Sequence, residues 1–511
     1  MAKPARAGPA FQSWLAQAPL GNNPVAIVRA LAIRLKGSGR GKGAGRMTGK
    51  DLSRRQFLEL AGGAAALGVL GAACGSATTP ATGGGKAPAT TLLQPATKLA
   101  GSLKILQWSH FVPRYDQWFD PFAKDWGNRV GVDVSVDHVA LADIPSHTAA
   151  EIASGSGHDL IEWVSPPSQL EPSVVNLADV NQEAVKRFGT QQPFAKDSSY
   201  DPVTNTYYGY CHAWVPDPGD YRRSLWQKVG MPNGPATYQD LLSGGKAIKD
   251  KLNVRMGIGM SNELDSNMAA RALIWSYGGS VQDKNGKVVL NSPETIDAVN
   301  YMAKLYNQTM TAEVFAWNAD SNNSGLIAGQ LSYILNSISA YRTAQAQNPQ
   351  VADDVFFTPA LKGPHGQGLA SQHVVLVYVI PKFSKNVDAA KQFLLNLSAN
   401  DPAGTYNSEL YNFPAFANTV PQLSGWVASD PFGSRPADKL KVLNGAAGWT
   451  TNVGYPGPAN AAIGEVFTTF VLPQMMARVA QGKQSAQASV TQAETEVNAI
   501  FSKWRSRGLI G

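Results

Sequence analysis

From residue 103 to residue 163 the chain switches repeatedly between two periodicities, and that switching restricts its fold more than any other feature. Residues 103–108 form a short apolar run with strand character. Tyr115, Trp118, Phe119, Phe122 and Trp126 then recur at the spacing that gathers side chains on one face of a helix. Residues 130–136 alternate as a strand does, residues 144–154 return to helical spacing, and residues 158–163 read as a third strand. Strands that alternate with helices build crossover units on a mainly parallel sheet, so the predicted class is α/β. Ligands of such sheets bind beyond the carboxyl ends of the strands, which makes Trp108, His110, Glu162 and Trp163 candidate contacts.

A second α/β region follows. Gly257-Ile258-Gly259-Met260 is a predicted strand, Asp283-Lys284-Asn285-Gly286-Lys287 has turn chemistry, and Ser292-Pro293 starts a helix with Ser as cap and Pro just inside it. Ile296, Val299, Ala303 and Tyr306 are expected to form the buried stripe of that helix. Residues 373–380 make an apolar strand, and Val387, Ala390, Phe393, Leu394 and Leu397 mark another amphipathic helix. The last helix presents Val490, Ala493, Val497, Ile500, Phe501 and Trp504 on one face. No internal repeat is visible.

Net charge is misleading until it is divided along the chain. The whole sequence is formally +7, but residues 1–73 hold 11 Lys/Arg and 2 Asp/Glu, which leaves 33 basic and 35 acidic residues from Cys74 onward, a net of −2. A folded part with that balance offers no electrostatic footprint for nucleic acid. Cys74 and Cys211 are the two cysteines, so there is no disulfide framework. Cys211 lies in Tyr207-Tyr208-Gly209-Tyr210-Cys211 and reads as a small buried hydrophobe.

The charge excess belongs to a leader. Ser53-Arg54-Arg55-Gln56-Phe57-Leu58 precedes an uncharged Ala/Gly-rich stretch over residues 60–73 and then Cys74, the order of charged, apolar and small-residue regions that a removable export signal has. The stretch is shorter than the roughly 20 apolar residues of a membrane-spanning helix. It resembles the twin-arginine lipoprotein signals of bacteria, and the resemblance implies export through Arg54 and Arg55 and lipid on Cys74. A Gly/Pro/Ser/Thr-rich segment over residues 74–100 reads as a flexible tether. Met47 would open a signal of ordinary length, so residues 1–46 are expected to be an over-early start, with a genuine long leader as the alternative.

Catalytic signatures are missing from the pattern. The seven His include no His-Glu-x-x-His pair, and no nucleophile elbow, phosphate loop or dinucleotide fingerprint occurs. No cofactor and no metal are implied, and the expectation is a protein that is not an enzyme.

A family resemblance covers most of the folded part. Tyr208-Gly209-Tyr210, then Tyr221-Arg222-Arg223-Ser224-Leu225-Trp226, is similar to a chain crossover followed by a helix. Lys228-Val229-Gly230-Met231-Pro232 and Pro235-Ala236-Thr237-Tyr238-Gln239-Asp240-Leu241-Leu242 follow it. Trp275-Ser276-Tyr277-Gly278-Gly279-Ser280, the run from Ser324-Gly325 to Ser332-Tyr333, and Pro381-Lys382-Phe383-Ser384-Lys385 with its helix complete the series. In this order the segments resemble the extracellular solute-binding proteins of family 1, the sugar-binding receptors of ABC importers that include maltose-binding protein.

The resemblance implies the type II periplasmic-binding-protein architecture, two α/β lobes joined by a hinge with a ligand cleft between them. The expected first lobe is 101–215 plus 360–410 and the second 216–359 plus 411–511, with hinges near 213–216 and 358–361. It further implies a monomeric, lipid-anchored protein at the outer face of the cytoplasmic membrane, in the periplasm or at the cell surface. There it would hand a sugar, oligosaccharide or sugar alcohol to ABC permease subunits and their ATPase. Alternatives are the same fold around a polyamine, phosphorylated polyol or other small solute, and a lipid-anchored glycan-active enzyme.

Sugars offer apolar ring faces and many hydroxyls, so aromatic platforms beside short polar groups are the residues to look for. Trp214 near the hinge, Trp275, Trp449 and Tyr455 in the second lobe, and Asn336 after the Tyr333-Ile334-Leu335 strand join the four strand-end candidates. Asn336 and Ser337 stand where the family commonly carries an aromatic turn, which suggests a different or smaller solute. N-terminal sequencing of the unprocessed precursor is expected to begin at Met47; a Met1 start would restore the long leader.

Overall fold

The computed structural model describes residues 86–95 and 97–511. The expected extension (1–46), the signal with Arg54 and Arg55 (47–73), Cys74 and the first part of the tether lie outside the described residues. Among the described residues no helix is long and apolar enough to cross a membrane.

The first lobe begins as the sequence periods predict. Strand β1 (Ser102–Trp108) leads into helix α1 (Arg114–Val130), strand β2 (Asp133–Val139), helix α2 (Ile144–Ser154) and strand β3 (Leu160–Trp163), and β1 pairs in parallel with both β2 and β3. Helix α1 ends at Gly131, whose φ of 83° a side chain would strain, and the turn brings β2 back beside it. Tyr115, Phe119, Phe122 and Trp126 are buried as expected, whereas Trp118 is half-buried and stacks on Phe122 with ring centroids 4.7 Å apart.

Strand β4 (Tyr210–Trp214) is the last of this lobe before the chain crosses, and Cys211 within it is fully buried, its thiol pushed up by desolvation. Residues 215–218 cross to strand β5 (Gly219–Arg222). The second lobe adds β6 (Arg255–Gly257), α3 (Leu264–Ser276), α4 (Pro293–Thr309), β7 (Leu331–Leu335), α5 (Ser339–Gln347) and β8 (Val355–Thr358). Its sheet runs β8-β5-β7-β6. The strand expected over residues 257–260 is displaced toward the N-terminus and ends at Gly257. Helix α4 starts where the cap predicts, with the Ser292 hydroxyl accepting from Thr295 N. Its buried face is turned relative to the expected stripe: Val299 is inside, but Ile296, Ala303 and Tyr306 are at the rim while Thr295, Ala298, Met302, Leu305 and Thr309 fill the core. Thr309 is tolerated there because its hydroxyl donates to Leu305 O at 2.6 Å.

Residues 359–374 return to the first lobe and enter β9 (Val375–Val379), followed by α6 (Val387–Ala399) and β10 (Phe413–Pro414). The completed sheet has the order β10-β4-β9-β3-β1-β2. It is mixed rather than mainly parallel, because β9 arrives from the other lobe and runs antiparallel to both β3 and β4. Strand β10 pairs with β4, Phe413 opposite Trp214 and Pro414 opposite Ala213, so the sheet of the first lobe reaches residue 414, past the expected boundary at 410. Pro414 is accommodated because β10 is an edge strand. Helix α7 (Ala486–Arg505) closes the chain with Val490, Ala493, Val497, Phe501 and Trp504 inside and Ile500 at the rim.

Helices α1 and α6 are held together by rings: Phe393 meets Phe119 at 5.8 Å and Trp126 at 5.2 Å, both edge to face. Phe393→Ala is expected to cost about 3–5 kcal/mol, the loss of a buried aromatic plus the cavity it leaves, read as a lower midpoint in urea unfolding.

Candidate functional site

The two crossings are bonded to each other: Val215 N donates to Val374 O at 2.9 Å, and His373 N to Val215 O at 2.8 Å. The outgoing crossing therefore occupies 215–218 and the return 359–374. Ala213 is still sheet, opposite Leu376, which places the first hinge two residues later than expected.

Above these crossings the lobes meet. From the first lobe, the end of β1 supplies Trp108 and His110, whose rings stack at 4.7 Å. His110 Nδ1 accepts from Val112 N at 2.9 Å, so Nε2 carries the proton and donates to Asn412 Oδ1 at 3.1 Å. Burial lowers the His110 pKa to about 4, which keeps the ring neutral. Tyr411 packs edge-on against His110 at 4.9 Å, and its hydroxyl is buried without a hydrogen-bond partner. Trp108 Nε1, Asn412 Nδ2 and Asp217 Oδ2 are buried without a hydrogen-bond partner.

From the crossings and the second lobe comes a set of acids. His373 lies between Asp217 Oδ1 (Nδ1, 3.0 Å) and Asp265 Oδ1 (Nε2, 3.6 Å). Burial pulls the His373 pKa down, but the hydrogen bond to Asp217 and the charges of Asp265, Asp217 and Glu263 outweigh it and leave it raised. Asp265 also accepts from Asn322 Nδ2 at 2.6 Å, and Glu263 caps α3 by accepting from Asp265 N and Ser266 N, both at 2.6 Å. Asp220, on β5, is fully buried, and neither carboxyl oxygen has a partner. Desolvation, then the charges of Asp217 and Asp265, drives its pKa well above the carboxylate range.

The other candidates have structural occupations. Glu162 is buried in β3 and held by His212 Nε2 at 2.8 Å. Trp163 donates Nε1 to Thr148 Oγ1 of α2 at 3.2 Å. Trp214 donates Nε1 to Pro414 O at 3.1 Å, and with Gln192, Phe413, Leu443 and Asn444 it lines a cavity of about 280 Å³. Asn336 receives its backbone from the crossing, donating N to Pro218 O at 3.2 Å, and its amide binds Asn323. Trp275 lies in α3, edge-on to Tyr455 at 6.0 Å, and Trp449 packs against Ala272, Ala360 and Ala370. The structure thus brings Trp108 and His110 together and sets Asn336 beside Ser337, while Glu162 and Trp163 are engaged inside the first lobe.

Sequence reasoning passed over Asp217, Asp220, Asp265, His373, Tyr411 and Asn412. One signal was available for two of them: Asp217 and Asp220 stand in Pro216-Asp217-Pro218-Gly219-Asp220 between runs of aromatics, and carboxyls so placed are buried with the crossing.

The family model for bacterial extracellular solute-binding proteins matches residues 117–432. The chain belongs to this family. Maltose-bound T. maritima MalE3 is similar in structure with a TM-score of 0.65 at 17% identity, over 78% of this chain and 100% of that one. A sugar transporter from Arthrobacter chlorophenolicus A6 with bound laminaribiose gives 0.65 at 16%, over 78% and 99%. These likenesses show the two-lobed type II fold. A Deinococcus radiodurans protein named as an ABC transporter-binding protein is 25% identical over 167 residues, 31% of this chain and 40% of that protein. The match spans less than half the length of that curated relative.

Asp220 should govern part of the pH dependence of stability. A carboxyl whose folded pKa is raised loses stability as pH climbs from its unfolded value of about 3.9 toward the folded one. Asp220→Asn is expected to stabilise the protein by roughly 1–3 kcal/mol at pH 8, a gain that shrinks toward pH 4. Thermal scans at the two pH values read it, and an equal effect at both would contradict the assignment.

Proposed function

We propose that this family member is the solute receptor of an ABC importer, binding a carbohydrate between its lobes and delivering it to a membrane permease. Export through Arg54 and Arg55 and a lipid on Cys74 would hold it at the outer face of the membrane, and the tether before residue 100 would let the lobes reach the permease.

The observation that carries the solute class is the composition of the interlobe zone. Buried donors with unused capacity (Trp108 Nε1, Asn412 Nδ2) stand with the rings of Trp108, His110 and Tyr411, and a buried acceptor (Asp217 Oδ2) lies on the outgoing crossing. Hydroxyl groups both donate and accept, and ring faces of sugars stack on aromatics, so a polyhydroxyl solute answers both features. We assign contact to Trp108, His110 and Asn336 among the candidates, joined by Asp217, Ser337, Tyr411 and Asn412. Trp214, with the amides of Gln192 and Asn444 in its cavity, is a further aromatic platform. Trp163, Glu162, Trp275, Trp449 and Tyr455 support these walls. Maltose in one structural neighbour and laminaribiose in another agree with the class.

Differential scanning of the folded protein against maltose, laminaribiose, monosaccharides, polyols and spermidine tests the reading. A solute at 100 times its dissociation constant adds about 2.7 kcal/mol of stability. A shift with one or more carbohydrates is expected. A flat response to every carbohydrate with a shift from spermidine would overturn the class, and release of product from a glycan on long incubation would count against a receptor.

A further inference from the structure

We propose that residues 86–95 are a docked strap, not free tether, and that the strap moves the point of anchorage from the far pole of the first lobe to the end that faces the second. This rests on the reading of the protein as a receptor held at the membrane through Cys74, and it concerns how that receptor is presented to its permease.

Two buried amides hold the strap. Asn396 and Asn400 stand one turn apart at the end of α6, and both are buried although neither belongs to the apolar stripe predicted for that helix. Buried amides require partners, and theirs is the backbone of the chain that precedes β1. Asn400 Oδ1 accepts from Thr91 N at 2.7 Å, Asn400 Nδ2 donates to Thr91 O at 2.9 Å, and Asn396 Oδ1 accepts from Leu93 N at 2.9 Å. Both polar groups of Thr91 are thereby paired, as they would be in a β ladder. Leu92, Leu93 and Leu99 are the only large apolar side chains between Cys74 and Gly101, and all three pack against the core.

The strap runs lengthwise along α6 in the opposite direction. Residues 91 and 93 lie at the end of the helix, and residues 97–100 line a cavity with residues 385–389 at its start. The sheet shows which end is which. Strand β9 comes in from the return crossing and α6 runs back toward the crossings, so that Asn400 and Asp401 line a small cavity with Ala213, Asn412 and Pro414 beside the outgoing crossing. The start of β1 lies at the opposite pole, where Asp133 N donates to Gly101 O at 2.9 Å.

A chain released at Gly101 would leave the first lobe at its far pole and hold the lobe junction away from the bilayer. The strap leaves from the Asn400 end instead. Chain from Cys74 to Lys86 spans at most about 40 Å, against about 90 Å from Cys74 to Gly101. The part held near the lipid is then the junction, from which a solute must pass to a permease.

Hydrogen exchange and energy transfer on the full chain test the two halves of the proposal. The amides of Thr91 and Leu93 are expected to exchange at least roughly tenfold more slowly than in a free peptide of residues 86–95. For orientation, Cys74 is coupled to a maleimide lipid in phosphatidylcholine vesicles, where Cys211, being buried, does not compete. A fluorophore is carried by p-acetylphenylalanine in place of Gln117 or Asn128, exposed positions near the two ends of α1. Gln117 lies between Tyr115 and Trp118, which face Gly404 just beyond Asn400, and Asn128 lies at the far pole. Transfer to acceptors on the lipid headgroups is expected to be stronger from Gln117 than from Asn128. Thr91→Pro with Leu93→Pro removes both strap donors while leaving the lobe itself unaltered, and should abolish that difference. Free-peptide exchange at Thr91 and Leu93, transfer from Asn128 that equals or exceeds that from Gln117, or a difference that survives the double substitution would overturn the proposal. Coupling through Cys74 stands in for the natural lipid. A chain that carries no lipid in the cell therefore sinks the anchored-receptor reading alone, and an unprotected strap sinks this proposal alone.

Discussion

Strand β9 is the element on which both lobes depend. It brings the chain back from the second lobe and lies in the middle of the first lobe's sheet, hydrogen-bonded to β3 on one side and β4 on the other. Its five residues are fully buried apolar or aromatic side chains. Without it the sheet would divide into two parts with unpaired inner edges, and buried backbone groups without partners are costly. The same strand fixes where the second lobe is attached, because residues 373 and 374, just before it, are bonded to residue 215 of the outgoing crossing. Two adjacent, mutually bonded crossings define a hinge axis.

Much of the fold was legible because its signals are local. Helix α2 spans the residues its spacing predicts, and the Ser292-Pro293 start of α4 caps as its chemistry requires. What the sequence did not disclose depends on distant chain. Strand direction cannot be read from period-two alternation, and β9 is antiparallel only because of where the chain has been. Strand β10 is two residues long and has no period at all. The face of α4 was misjudged because two threonines occupy the core, Thr309 bonded back to Leu305 O and Thr295 to the Ser292 hydroxyl, while larger apolar groups stand at the rim.

The site divides in the same way. Trp108 and His110 were singled out by the rule that strand ends face ligands, and the structure stacks their rings at the end of β1. Trp163 and Glu162 obey the same rule by position, but Trp163 is bonded to α2 and Glu162 to His212. The acids and His373 escaped because their meaning is collective: Asp217 and His373 are 156 residues apart and become partners only after both crossings form. A polar residue at the mouth of an apolar strand, such as His373 before β9, is the kind of local anomaly that announces such a partnership. Burying several carboxyls together opposes folding, and such a cost is tolerated where it serves a site.

The placement of β9 also reverses the order in which the two sheets can be finished. Strands of the first lobe are drawn from both ends of a stretch running from residue 102 to residue 414, whereas the second lobe's sheet is complete by residue 358. As the chain is synthesised, the first sheet must wait for strands made after its neighbour's sheet, holding β1, β2 and β3 with one edge open. Pairings so distant in sequence are slow to form and expose strand edges meanwhile. The sheet that begins first in the sequence is therefore the last to close, and the two-residue strand at its edge is its final stitch.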